Sequence, residues 1–180
     1  MIYVLSDIHG CYDKYNKMLE KISFGENDTL YILGDIVDRG AEGMKVLLDV
    51  SKRKNVVFLR GNHDQQAAVL LTNLYRFEDE HCSEELISVY RMWILDGGDK
   101  TLKGYLKLSE EERQTVIAVL RNSIVSKEIE VNGTRFLLAH TVPEAERLIE
   151  YENWSPEDYI LGEPDYEVVY FEDKYVVTGH

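Results

Sequence analysis

Short apolar runs alternate with amphipathic stretches through the first third of the chain. Ile2 to Leu5, Leu30 to Leu33 and Val56 to Leu59 have the length and composition of buried strands. Between them, Tyr12 to Ile22 brings Tyr15, Met18, Leu19 and Ile22 onto one helical face, and Met44 to Val50 and Gln65 to Tyr75 read as further helices. The order βαβαβα predicts an α/β fold with a largely parallel sheet, right-handed crossovers, and chemistry on the loops that follow the strands.

The rhythm changes after about residue 76. From there to about 122 the chain reads as helical, with Leu86, Ile87, Tyr90, Trp93 and Ile94 spaced along Glu85 to Leu95, and a capping box at Ser109 to Glu112 that opens a helix ending near Leu120. Strands return in the last third. Ile124 to Val131 and Arg135 to Ala139 flank Asn132-Gly133, a strong hairpin signal. Val168 to Phe171 and Tyr175 to Thr178 form a second candidate pair about Glu172 to Lys174. No repeat, low-complexity tract or linker interrupts the chain, so residues 1–180 are expected to form one domain, with 76–122 as a helical insertion.

Composition narrows the function classes. A net charge of −13 argues against gripping nucleic acid or an anionic membrane by general surface charge, since counterion release needs a basic face. Any phosphate recognition must then be local. Cys11 and Cys82 lack metal-type spacing and imply no disulfide framework, which points to a reducing cytoplasm. The apolar start at Met1 to Leu5 is too short for a signal peptide or a membrane span.

The informative polar residues fall directly after the first three strands: Asp7-Ile8-His9-Gly10, then Gly34 to Gly40 (Gly-Asp-Ile-Val-Asp-Arg-Gly), then Arg60-Gly61-Asn62-His63-Asp64. Taken alone, Gly34 to Gly40 reads equally as a polar turn with a helix cap at Asp38, and a lone Asp-x-His is usually a solvated turn. Carboxylate, imidazole and amide groups at three successive strand ends form a donor set suited to divalent first-row metals. Asp64 is expected to cap the following helix. His140 follows the run Phe136 to Ala139 and so sits at another strand end, with a satisfied core histidine as the alternative. His81 lies in an acidic run and is expected to be solvated.

These motifs resemble those of the calcineurin-like metallophosphoesterases, in particular the serine/threonine phosphoprotein phosphatase type with its small bacterial and phage members. Asp7 to Gly10, Gly34 to Gly40, Gly61 to Asp64, His140 and Gly179-His180 match the family pattern in order from end to end. The resemblance implies a four-layer α/β/β/α sandwich with a mixed second sheet. It implies two divalent metal ions, manganese first, with iron, zinc, nickel or cobalt as alternatives. Asp7, His9 and Asp35 would bind one metal, and Asp35 would bridge to a second held by Asn62, His140 and His180. A hydroxide shared by two such cations attacks phosphorus without a protein nucleophile. His63 is the implied general acid, with Asp38 orienting its ring, and Arg39 and Arg60 offer forked donors to the phosphoryl oxygens.

The expected substrate is a phosphorylated protein or peptide, or a small phosphoester. A symmetrical dinucleoside tetraphosphate hydrolase is the alternative enzyme, because it shares the opening Asp7 to Tyr12. That branch generally lacks the second acid of the turn, so Asp38 favours the phosphatase. A silent metal-binding scaffold is the alternative outside enzymes, and retention of His63 and Asp38 speaks against it. The stretch Trp93 to Leu102 is similar to the Trp- and Gly-Gly-containing insertion of bacterial members and is expected to shape substrate access or simply to pack on the sheet. Three features depart from the pattern: Thr141-Val142 follow His140 in place of Ala-Gly, no arginine lies near Ile160 to Glu163 (Arg147 being a weak substitute), and the sequence stops at His180, which implies a shortened polypeptide.

Overall fold

The computed structural model describes residues 1–78 and 83–180. His81 and Cys82, and with them part of the 76–122 insertion, lie outside the described residues. Strands β1 (Ile2–Leu5), β2 (Thr29–Leu33) and β3 (Val56–Leu59) form a parallel sheet in the order β1-β2-β3, with helices α1 (Tyr12–Lys21), α2 (Gly43–Val50) and α3 (Asn62–Thr72) between and after them. The βαβαβα expectation therefore holds. Along β2 the side chains alternate: Leu30 and Ile32 join the core beneath the helices, whereas Tyr31 and Leu33 face the second sheet.

The insertion contains α4 (Glu84–Trp93), an irregular turn at Ile94–Gly98, α5 (Asp99–Tyr105) and α6 (Glu110–Asn122). The capping box forms as expected: Ser109 Oγ accepts from the Glu112 N–H at 3.3 Å, and the Ser109 N–H donates to Glu112 Oε2 at 2.9 Å. Val116 and Leu120 bring α6 onto the core beside α2 and α3.

The second sheet has the order β4-β5-β6, from β4 (Ser126–Val131), β5 (Thr134–Ala139) and β6 (Lys174–Val177). β4 and β5 pair as a hairpin. Asn132 and Gly133 both take positive φ (52° and 79°), as a two-residue turn that matches strand twist requires. Two strand expectations change. The segment expected to start β4 at Ile124 first bridges to Leu59 of the other sheet, with Arg60 N–H donating to Ile124 O at 2.7 Å. Val168 to Phe171 is not a strand, and β6 runs parallel to β5 instead of closing a hairpin. The reason is Tyr170, buried with its hydroxyl donating to Pro143 O and accepting from the Asp165 N–H, which holds the segment in a turn.

Leu33, Leu59 and Leu138 meet between the sheets, with Ile129, Phe136 and Val177 around them. Beyond the second sheet, Leu137, Ala139 and Val142 pack on Trp154, with a 3₁₀ segment at Ala145–Asn153 and the single turn α7 (Asp158–Leu161) as the outer layer. The α/β/β/α sandwich is thus present, with a thinner outer layer on the second sheet. Among the described residues no helix is long and apolar enough to cross a membrane.

Candidate metal centre

All three parallel strands end at one edge, and the loops leaving them carry the predicted residues to a common point. This edge is where open α/β sheets place their ligands. Asp7, His9, Asp35, Asp38, Arg39 and His180 all adopt positive φ, a backbone state that ordinary side chains avoid and that concentrates where function demands it. Gly34 makes the close approach possible. At φ 87°, a Cβ there would lie 2.6 Å from Gly61 Cα and 2.6 Å from His140 Nδ1.

The imidazoles are aimed by the backbone. His9 Nδ1–H donates to Val37 O at 3.0 Å and His140 Nδ1–H donates to Leu33 O at 2.7 Å, so both present Nε2 inward. His9 Nε2 lies 3.6 Å from Asp35 Oδ2 and 3.9 Å from Asp7 Oδ1. On the other side of Asp35, His140 Nε2 lies 3.5 Å from the same Oδ2, 3.0 Å from Asn62 Oδ1 and 3.0 Å from His180 Nδ1. Acceptor atoms facing acceptor atoms at such distances repel unless a cation or a proton lies among them. Burial holds the His140 ring below the ordinary histidine range, which favours the neutral, metal-ligating form. The donor set, oxygen and imidazole nitrogen on either side of one shared carboxylate, fits two divalent cations. His180 is positioned by its own N–H, which donates to Asp7 Oδ2 at 3.0 Å. The preceding Gly179 N–H donates to His140 O at 3.0 Å.

His63 faces the same space from the first turn of α3. Its Nδ1–H donates to Asp38 Oδ2 at 2.8 Å, and both residues are almost wholly buried. Burial pulls the ring down, but the hydrogen bond to Asp38 and the charges of Asp35 and Asp38 outweigh it, so His63 is held above the ordinary histidine range. Arg39 Nη2 lies 3.0 Å from His63 Nε2 and Nη1 lies 3.2 Å from His9 Nε2, which sets its guanidinium between the two rings.

Arg60 goes elsewhere. Its Nε donates to Ser123 Oγ, Nη1 to Gln65 Oε1, and Nη2 to the carbonyls of Leu120, Arg121 and Ser123, so it caps the C-terminal end of α6. The expectation that it meets phosphate beside Arg39 is replaced by this structural task. Carbonyls with no intrahelical partner are a stronger claim on a half-buried fork than open solvent. Arg147 pairs with Asp158, its Nη2 donating to Oδ2 at 3.1 Å. Thr141, which departs from the family pattern, donates from Oγ1 to Gly162 O at 2.9 Å and ties the His140 strand end to the segment after α7.

For three supporting residues the sequence did not show the partners that matter. Asp64 does accept from the helix-capping Gly61 N–H, at 3.0 Å, but it also accepts from the backbone N–H groups of Asp35 (2.7 Å), Ile36 (3.0 Å) and Val37 (3.4 Å), so it moulds the loop that carries Asp35. Trp93 Nε1–H donates to Asp38 Oδ2 at 2.9 Å, and Thr101 Oγ1–H donates to Asp38 Oδ1 at 2.6 Å while accepting from the Asp38 N–H. The Trp93 to Leu102 stretch was visible as a feature. Its partner was not, because the contact joins positions 38, 93 and 101.

Among proteins of known sequence, the chain is 33% identical over 95 residues to the symmetrical bis(5′-nucleosyl)-tetraphosphatase of Wigglesworthia glossinidia brevipalpis, covering 52% of this chain and 35% of that protein. It is 40% identical over 76 residues to the protein of the same name from Baumannia cicadellinicola subsp. Homalodisca coagulata, covering 41% and 26%. The matched stretch is thus about a quarter to a third of these relatives' length. A solved structure described as a candidate diadenosine tetraphosphatase superposes with a TM-score of 0.54 at 21% identity, over 80% of this chain and 51% of that one, and so shares the fold. With the calcineurin-like phosphoesterase profile matching residues 1–180 from end to end, the chain belongs to that family of hydrolases.

Proposed function

We propose that the chain is a metal-dependent phosphoester hydrolase in which His63 gives a proton to the leaving oxygen. The observation that carries this reading is the buried His63–Asp38 pair at 2.8 Å, further held by Trp93 and Thr101. Binding a metal or a phosphate needs no such device; protonating a departing alkoxide does. Asp7, His9 and Asp35 would hold one cation, and Asp35, Asn62, His140 and His180 a second, with manganese as the first choice. Divalent cations bound there would supply Lewis acidity and an acidified water. Arg39 presents its fork to the phosphoryl oxygens, and the N-terminal turn of α3 adds its partial positive charge on the same side. Because both sheets contribute to this centre, residues 1–180 are read as one catalytic unit.

Two substrate classes follow. The proton donor matters most for an alkoxide leaving group, which favours a phosphomonoester such as a phosphorylated serine or threonine side chain. A dinucleoside tetraphosphate is the second reading, and the printed names of the curated relatives favour it. Its nucleotide leaving group departs readily without a proton. Turnover of a phosphoserine peptide and of diadenosine tetraphosphate, measured side by side with manganese, decides between them; strong preference for the nucleotide would remove the first reading. His63→Asn is expected to slow the phosphoserine peptide by about 10²–10⁴-fold and an activated aryl phosphate by much less. Equal losses on both would contradict the proton-donor assignment.

A further inference from the structure

The turn between α4 and α5 holds a charged group that the chemistry above does not use. Asp96 (φ −89°, ψ 17°) and Gly97 (φ 98°, ψ 4°) leave helical backbone within Ile94–Gly98. Gly97 O accepts from the Arg39 N–H at 3.1 Å, and a Cβ at Gly97 would lie 2.6 Å from Arg39 N. The two loops therefore touch backbone to backbone, at a φ that favours glycine. This pins the turn and sets the Asp96 carboxylate over the site, Oδ1 3.5 Å from Arg39 Nη2 and Oδ2 3.6 Å from His63 Nε2. The latter is too long for a hydrogen bond. Asp96 thus acts by charge on whatever approaches the His63 proton.

Asp96 also lines a cavity of 560 Å³, together with Asn62 and Glu157. Arg60 also lines it and keeps its charge, but its guanidinium is turned to the carbonyls at the end of α6, whereas Asp96 is the lining charge nearest His63 Nε2. Asp96 belongs both to this lining and, at 3.6 Å, to the surroundings of His63 Nε2, so the cavity adjoins the space in front of that ring.

We infer that Asp96 is a specificity-determining residue: its carboxylate disfavours leaving groups that carry negative charge and favours those that carry a cation, such as a phosphoester flanked by a basic group. This rests on the proposed reading of His63 as the proton donor. A polyphosphate leaving group is the disfavoured case, and a phosphoserine followed by arginine or lysine the favoured one.

The test reads affinity, so it does not depend on turnover. Benzylphosphonates bearing a para trimethylammonium, acetyl or carboxylate group are titrated by calorimetry into the manganese-loaded chain. The wild type is expected to bind the cationic compound more tightly than the anionic one. In Asp96→Asn the ratio of the two dissociation constants should shrink about fivefold, the size expected for one exposed charge acting through water and salt. In the wild type the ratio should also shrink as salt rises, a readout that needs no variant. No cation preference, an unchanged ratio in Asp96→Asn, equal weakening of all three compounds, or no binding would each overturn the inference. Failure of the proton-donor reading shows separately, as equal losses of His63→Asn on alkyl and aryl substrates.

Discussion

Asp38 and Asp64 are fully buried carboxylates, and neither is a proposed metal ligand. Each fixes a loop through the hydrogen bonds that it accepts. Asp64 gathers backbone N–H groups from two loops, and burial together with the nearby Asp35 carboxylate pushes it up to about 7 against the pull of those donors. Asp38 is matched donor for donor by His63, Trp93 and Thr101. A network of this kind is worth most when complete, since each unsatisfied buried group carries its own desolvation cost. Thr101→Val keeps the shape but removes a donor to the carboxylate and the acceptor of the Asp38 N–H. It is expected to lower stability by about 1–3 kcal/mol and turnover of alkyl phosphates by about 10–100-fold, with a smaller loss on aryl phosphates. Thermal unfolding and paired kinetics check both parts; a variant with unchanged alkyl turnover would deny Asp38 its orienting role.

At the scale of elements, the second sheet is tied to its outer layer by polar contacts as much as by packing. Glu128 on β4 accepts from Lys174 on β6, from Arg135 on β5 at 2.9 Å and from the Tyr151 hydroxyl at 2.9 Å. The Lys174 hydrogen bond is the main reason that its pKa falls to about 2. With the folded value depressed below an unfolded value of about 4.3, the contribution is present above that range and is lost as pH falls toward about 2. Glu128 is partly exposed, so solvent screening reduces the effect. Urea midpoints are therefore expected to differ between wild type and Glu128→Gln at neutral pH and to converge as pH falls from about 4 toward about 2. A gap that persists in acid would mean that packing, not charge, carries the effect.

Across the whole molecule, the proposed ligands come from the ends of β1, β2, β3 and β5 and from the residues after β6. A cation pair held there would clamp the two sheets together. Binding to the folded state alone stabilises by mass action, about 2.7 kcal/mol at a hundredfold excess over the dissociation constant. For a chain of this size that corresponds to a rise in Tm of about 5–10 °C. Manganese should raise Tm by this order, chelator should reverse it, and His180→Ala should reduce the rise. An identical rise in His180→Ala would remove His180 from the centre. The thin outer layer on the second sheet makes this clamp matter more, because less apolar packing stands behind β6 than behind β2.

The alternation of apolar runs determined the first sheet and its helices, since strand and helix periods are local properties of the chain. The ordered motifs likewise placed Asp7, His9, Asp35, Asn62, His63, His140 and His180 at loop positions that the fold then brings together, because each follows closely on a strand of one of the two sheets. What local pattern could not decide was the fate of groups whose partners are distant. Arg60 reads like Arg39 in sequence, yet it turns to the end of α6, sixty residues away, where carbonyls are in want of donors. Val168 to Phe171 reads like a strand, and a single tyrosine hydroxyl bound to Pro143 holds it as a turn. Trp93, Asp96 and Thr101 acquire their meaning only when α4 and α5 close over Asp38 and Arg39. Hydrogen bonding and charge act through space, so these assignments belonged to the tertiary structure alone.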